Sequence, residues 1–392
     1  MNISAPTEQV MPLSGEDDQG RPVLCVVAKR TYRLDVRPGS SSPAPCLVAE
    51  EQLPLHTLEV DPADPETVLQ DADIYPVKPL TDVIVRGHAY APGRATQMGA
   101  SVSVGKSTKV LAIIGDRRCS LSATGQILFS PPTAFEKVPL LYNRAYGGVD
   151  KVAEANFGNP YAQILPYVSD HLKGSRHSPY RYPRNGVGRG YLIEPSADAL
   201  EALMLPNIED PEDLLSPGRL AVGSTRRWPH MPLPWGTDWL SLACFPRIGF
   251  LGGTTDYEPF QGDFPEVRRG FIPQGYPRRG TQNEMWHDRA RNAGSLGLQL
   301  GPFTTQTIGD LEFRLANLHP RQPQLSFRLP KGGPRIMVDG RNGKLVPTEP
   351  VLHHIVIEPD LDRVSVLWRG SAPAVRRYTL EELLAMPLLV SW

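Results

Sequence analysis

Several stretches of the chain carry residue types that could do chemistry. "SVSVGKSTKV" (101–110) contains the Gly-Lys-Ser of a phosphate-binding loop. Such a loop needs Gly-x-x-x-x-Gly-Lys-Ser/Thr after a strand, then a helix whose N-terminus meets the phosphate. Here Ala100 stands where the first glycine belongs, and Val102 and Val104 alternate with Ser101 and Ser103. That alternation predicts a strand turning at Gly105–Lys106 and returning as a second strand, so nucleotide binding is not expected. "NGVGRGY" (185–191) lacks the dinucleotide glycine spacing, and in "AGSLG" (293–297) Ala293 replaces the first glycine of a nucleophile elbow. Adjacent His353 and His354 would face opposite sides of a strand, one packed and one solvated, which does not suit a shared metal. Glu209-Asp210 and Glu212-Asp213 lack EF-hand spacing and read as a solvated acidic turn.

Arginines set among aromatics are the more informative signal. In "VPLLYNRAYGGVD" (138–150), Arg144 lies between Tyr142 and Tyr146 and is followed by Gly147-Gly148. With no nucleophile or acid–base pair nearby, its guanidinium is expected to stack between the tyrosines or to pair with a carboxylate, pinning a sharply turned loop. "KGSRHSPYRYPRNGVGRGY" (173–191) interleaves Lys173, Arg176, Arg181, Arg184 and Arg189 with Tyr180, Tyr182 and Tyr191. Such mixtures grip single-stranded nucleic acid, form protein–protein hot spots, or simply pack a loop. Trp228, Trp235, Trp239 and Trp286 lie further on, among prolines and arginines. The candidate partner-binding residues are Arg181, Tyr182, Arg184, Trp228, Trp235 and Trp239. No residue is assigned to catalysis, to a cofactor or to a metal.

The elements that must position these residues are mostly strands. "VLCVVAKRTYRLD" (23–35) starts as an apolar run and then alternates, predicting a strand with one buried face. "TDVIVRGHAYAPG" (81–93) reads as one strand closed by Ala-Pro-Gly, and "GQILFS" (125–130) as another. Strand patterns resume at 309–320, 324–330, 353–360 and 363–370, the last two joined by the turn Pro359–Asp362. Short helices are expected over Ala197–Leu205, near Leu240, and at "TLEELLAM" (379–386), where Thr379 and Glu382 have capping-box spacing. Between about 150 and 300 periodicity fades while Pro, Gly, Trp and Arg become dense. The organisation predicted is an N-terminal β portion (1–150), a loop-rich decorated region with the partner surface (151–300), and a C-terminal β portion (301–392) completing the same body and ending in a short helix.

Composition agrees with that picture. The chain has 392 residues, 40% hydrophobic and 21% charged, enough for a large core. Its 41 prolines and 35 glycines discourage long helices, since proline costs about 3 kcal/mol inside one. The fold class expected is mainly β: a compact antiparallel body, sandwich or barrel-like, with a long Pro/Gly-rich decorated insertion and a few short helices. A formal net charge of −1 gives no global attraction to nucleic acid or anionic membrane. Cys25, Cys46, Cys119 and Cys244 form no CxxC pair, and no signal peptide or membrane-length apolar run stands out, so a cytoplasmic location is expected.

The order of seven phrases resembles a known family: "VVAKRTYRLD" (26–35), "KPLTDVIVRGHAYAP" (78–92), "GDR" (115–117), "PLLYNRAYGG" (139–148), "LPNIEDP" (205–211), "FRLP" (327–330) and "IEPDLDRVSVLWRG" (357–370). This is similar to a bacterial family, long known only as a domain of unknown function, whose genes accompany the spike and PAAR-like tip proteins of type VI secretion systems. The resemblance implies an adaptor or chaperone that holds a toxic effector, or its PAAR-like domain, and helps load it onto the spike. It implies no cofactor and no catalytic residue. The family has glycine where Arg30 stands and glutamate where Asn143 stands, and the pentapeptide repeats of some members are not seen here. The alternative is an enzyme of hydrolase type with a site built from scattered loop residues.

Overall fold

A computed structural model describes residues 2–17, 21–37, 39–56, 59–70, 73, 81–157, 180, 185, 187–193, 196–212, 214–220, 298–308, 311–339 and 343–392. The chain is mainly β, built of several largely antiparallel sheets, none of which closes into a barrel. The largest sheet runs in the order Gln299–Leu300, Thr81–Val85, Val351–Glu358, Arg363–Pro373, Pro22–Leu34, Val10–Glu16, with Cys46–Val48 beside the far end of Pro22–Leu34. Among the described residues its one parallel pair joins Thr81–Val85 to Val351–Glu358. At its centre the pairing runs from Arg363 opposite Arg33 to Pro373 opposite Val23, so the two ends of the chain share one ladder. A five-stranded sheet follows the order Ile208–Glu209, Ser107–Ile114, Gln97–Val104, Glu312–Ala316, Gln324–Arg328, and a four-stranded one Asn2–Ile3, Leu388–Ser391, Arg335–Asp339, Leu345–Pro347.

One apolar core joins the three. Val26, Ala28, Val366 and Trp368 of the large sheet share it with Val102, Ile113, Phe313 and Phe327 of the second and with Ile336 and Val390 of the third. Phe313 and Phe327 face each other across neighbouring strands and stack, with ring centroids 4.8 Å apart. Each such ring contributes about 1.5–3 kcal/mol on leaving water. Arg30 lies over the Trp392 ring at 4.9 Å, which holds the C-terminus against the large sheet by a cation–π contact.

The hairpin at Gly105–Lys106 forms between Gln97–Val104 and Ser107–Ile114, with Gly105 at φ +57° supplying the turn. The capping box at Thr379–Glu382 is present on the helix Leu380–Leu384. Four expectations change. Pro22–Leu34 is buried on both faces, because residues 49–55 fold over the side that carries Lys29 and Thr31. The stretch 81–93 breaks into Thr81–Val85 and His88–Ala95 at Gly87 (φ +140°), whose added Cβ would lie 2.9 Å from Asp360 Oδ1. Pro92-Gly93 therefore lies inside the second strand, which pairs with Phe135–Pro139 alone among the described strands. A helix absent from the sequence reading, Lys151–Phe157, forms where Asp150 Oδ1 accepts from Ala153 N (2.9 Å). Finally, a strand, Leu388–Ser391, follows the C-terminal helix.

The helix expected over 197–205 spans Ala197–Ala202, capped by the Ser196 side chain on Ala199 N. The one expected near Leu240 lies outside the described residues. No helix among the described residues is long and apolar enough to cross a membrane.

Candidate partner-binding junction

Four of the phrases marked in the sequence meet at one place. The loop "YNRAYGG" opens with a 3-10 turn, Tyr142–Arg144, and continues as the strand Tyr146–Gly147, which pairs in parallel with Arg189–Gly190. Gly147 sits at φ +146°, and a Cβ there would overlap Asn185 O, so only glycine lets the two loops close. Asn185 Nδ2 donates to Tyr142 O (2.8 Å) and Tyr146 O (3.1 Å), and Gly148 N donates to Asn185 O (2.8 Å). The Tyr146 and Tyr191 rings meet edge to face at 6.4 Å. From "LPNIEDP", Asn207 Nδ2 donates to Ile114 O (2.9 Å) and Asp116 Oδ1 (3.0 Å), tying the five-stranded sheet to the same spot.

Three charges gather there. Arg144 pairs with a carboxylate, the second of the two arrangements expected for it: its Nη1 lies 3.6 Å from Asp116 Oδ1 and donates to Asn207 Oδ1 (3.3 Å). Arg189 Nε donates to the Asn143 carbonyl (2.9 Å), and its Nη1 lies 3.5 Å from Asn207 Oδ1 and 3.9 Å from Asp116 Oδ1. Burial, and then the Arg144 charge, hold the Arg189 pKa below its ordinary value, against the pull of Asp116. The Asp116 side chain is 51% exposed, that of Arg144 34% and that of Arg189 21%, so the cluster opens to solvent. Beside it, Arg117 and Glu209 form a buried ion pair. Glu209 also accepts from Leu215 N (2.6 Å), and burial pushes its carboxyl pKa up. The expected solvated acidic turn is thus corrected at Glu209, which is inside and bonded to the Leu215 backbone.

Arg181, Tyr182, Arg184, Trp228, Trp235 and Trp239, together with Lys173, Arg176 and Trp286, lie outside the described residues. Their anchors do not. Tyr180 O accepts from Asp150 N (2.9 Å), and Asn185 holds both ends of the 142–146 loop. Residues 181–184 are therefore flanked in sequence by two attachments to the junction. Asp150, whose Oδ2 accepts from Ile193 N (3.0 Å), is the hub that periodicity could not reveal.

A second polar cluster is sealed on the far face of the large sheet. Lys29 Nζ donates to Asp73 Oδ2 (2.6 Å) and Pro54 O (2.9 Å), while His354 Nε2 lies 2.8 Å from Asp73 Oδ1. A bulge at Leu352/His354 corrects the expectation of opposite faces: His353 and His354 are 1% and 4% exposed, with their Nδ1 atoms 3.0 Å apart. Burial alone would raise the Asp73 carboxyl, but the His354 hydrogen bond and charge, then Lys29, outweigh it and hold it well below the carboxylate range. Burial depresses Lys29 despite Asp73. The signal in the sequence was a lysine inside an apolar strand run.

The turn Pro359–Asp362 presents two carboxylates to two histidines: His88 Nδ1 lies 2.6 Å from Asp360 Oδ2, and His319 Nε2 lies 2.7 Å from Asp362 Oδ1. Among the described residues no three His, Cys, Asp or Glu side chains are placed to hold a metal ion. A surface cleft beside Gln324–Arg328 contains Asp35, whose Oδ2 accepts from Arg37 (3.3 Å).

No curated protein and no solved structure matches the chain. A family described as "Uncharacterized protein conserved in bacteria (DUF2169)" matches residues 19–369, which takes in all of the seven phrases but the final Gly370. Because that match covers most of its length, the chain belongs to this bacterial family.

Proposed function

We propose that the chain is an adaptor or chaperone that binds a type VI secretion effector, or the PAAR-like domain of one, and promotes its stability and its loading onto the spike. The observation that carries this reading is the junction itself. It is a locked arrangement of loops on a rigid β body, open to solvent through two arginines and attached on both sides of the Arg/Tyr stretch 181–184. Arginine and aromatic residues held in advance lose little freedom on binding, which is what a hot spot needs. The order of the seven phrases supports the secretion context. In this reading Arg181, Tyr182, Arg184, Trp228, Trp235 and Trp239 face the partner, across an interface of about 1,200–2,000 Å². Binding needs no ATP: a partner occupied at a hundred times its Kd is stabilised by about 2.7 kcal/mol. The adaptor acts in the cytoplasm, before the spike is fired.

A pull-down of the tagged chain with the products of neighbouring genes, in wild type and in Trp235→Ala/Trp239→Ala, tests this. A neighbour captured by wild type and lost by the double variant establishes an adaptor with its face in the 221–297 stretch. Capture by both moves the face elsewhere. Capture by neither rejects the adaptor.

A further inference from the structure

The geometry points to the Arg144–Arg189 pair as a carboxylate-binding site that receives an acidic segment of a protein partner. The inference rests on the adaptor reading for the partner's identity but on the junction alone for its chemistry. Two guanidinium groups share one carboxylate, Asp116, and one amide oxygen, Asn207 Oδ1, at 3.3–3.9 Å. None of those contacts is bidentate, although a guanidinium has five N–H donors in a fork that matches a carboxylate.

Arg144 uses only Nη1, and Arg189 only Nε and Nη1, in bonds among the described residues. Arg144 Nε and Nη2 and Arg189 Nη2 are thus left over, and none of them is a sealed, unsatisfied atom. Asp116 Oδ2 is likewise unused. The local formal charge is +1, and the Arg189 pKa is lowered first by burial and then by the Arg144 charge, so the two guanidinium groups repel each other. An added carboxylate relieves that repulsion, whereas an added cation aggravates it.

The frame holds the forks before any ligand arrives. Asn207 is fixed by Ile114 O, and Arg189 Nε is fixed by the Asn143 carbonyl. The strand that carries Arg189 pairs with the loop that carries Arg144. An acidic side chain or a C-terminal carboxylate approaching from solvent meets donors already in place. A protein segment, rather than a free anion, is favoured because the site adjoins the roots of the Arg/Tyr stretch at Tyr180 and Asn185.

The test titrates the full chain against a rhodamine-labelled hexaglutamate peptide and its hexaglutamine counterpart at low salt, followed by anisotropy, with inorganic phosphate as competitor. Hexaglutamate is expected to bind and hexaglutamine not. Arg144→Gln should weaken binding about tenfold, the share of one charge-assisted fork. Asp116→Asn, which removes the internal competitor at an exposed position, should tighten it about threefold. A thermal melt shows whether Arg144→Gln is folded, and the Asp116→Asn arm decides the matter if it is not. Unchanged affinity in a folded Arg144→Gln, or weaker binding in Asp116→Asn, overturns the site. Phosphate that competes at submillimolar concentration against a peptide of millimolar affinity overturns the assignment to an acidic segment. A genomic neighbour captured equally by wild type and Arg144→Gln overturns the inference and leaves the adaptor standing. Hexaglutamate binding that follows Arg144 while no neighbour is captured rejects the adaptor and keeps the site.

Discussion

Asp73→Asn is the substitution that tests the interior most directly. Asp73 is 1% exposed, and its carboxylate meets Lys29 Nζ, His354 Nε2 and, through Oδ2, His56 N at 2.9 Å. Replacing it with the isosteric amide leaves the volume alone and removes the charge. Lys29, 3% exposed, then keeps the Pro54 carbonyl and feels the Glu358 charge but loses the carboxylate it bonds. Breaking a buried pair from one side costs about 3–5 kcal/mol, because the orphaned charge stays desolvated. With an m-value near about 3 kcal/mol/M in urea, the unfolding midpoint should fall by roughly 1 M or more. Lys29→Met/Asp73→Leu removes both charges and should recover most of the loss.

The pH dependence gives a second reading. The folded Asp73 carboxyl lies below its unfolded value, so its contribution is present above about pH 4–5 and lost as pH falls toward the folded value. Lys29 is also depressed, so the unfolded chain binds more protons there too, and stability rises with pH between its lowered folded value and the unfolded lysine value of about 10.4. Asp73→Asn should flatten the acid limb. A midpoint within about 0.3 M of wild type, with an unchanged acid limb, would refute the reasoning. It would mean that residues 49–55 open readily and that water reaches the pair.

Three further outcomes are expected. Gly147→Ala should force the 142–148 loop away from Asn185 and cost several kcal/mol, read as a lower thermal midpoint and weaker capture of hexaglutamate; a wild-type melt would show that the loops close without that contact. Phe313→Ala empties a stacked position of 0% exposure and should destabilise by about 3–5 kcal/mol in urea; a loss under about 1 kcal/mol would mean that the core collapses into the gap. Tyr90 is pushed up to about 12 by burial and then by the Asp360 charge and hydrogen bond, so Asp360→Asn should bring its ultraviolet titration partway down; no change would leave burial as the sole cause.

Where the reading of the residues succeeded, the information was local. The turn at Gly105 needs only a glycine between two alternating runs, and the Thr379–Glu382 box closes within one helical turn. It failed where one residue changes the register. The bulge at Leu352/His354 turns both histidines inward, and Gly87 breaks a strand because Asp360 needs the space. Strands such as Val10–Glu16 and Leu388–Ser391 escaped because their own patterns are weak and their partners supply the pairing.

The same division holds for function. Composition and alternation by themselves determined a mainly β chain, and the spacing of glycines, lysine and serine was enough to set aside a phosphate loop. An arginine between tyrosines marked the 138–150 stretch without saying what it meets. Tertiary structure alone decided that Asp116, Arg144, Arg189 and Asn207 converge, and that Lys29, Asp73 and His354 are sealed together. The physical reason is range. A hairpin or a cap is settled within a few residues by steric and hydrogen-bonding preference, whereas these clusters join strands and loops scattered along the chain. Their meeting depends on burial of apolar residues far apart in the chain, which no short window of sequence records.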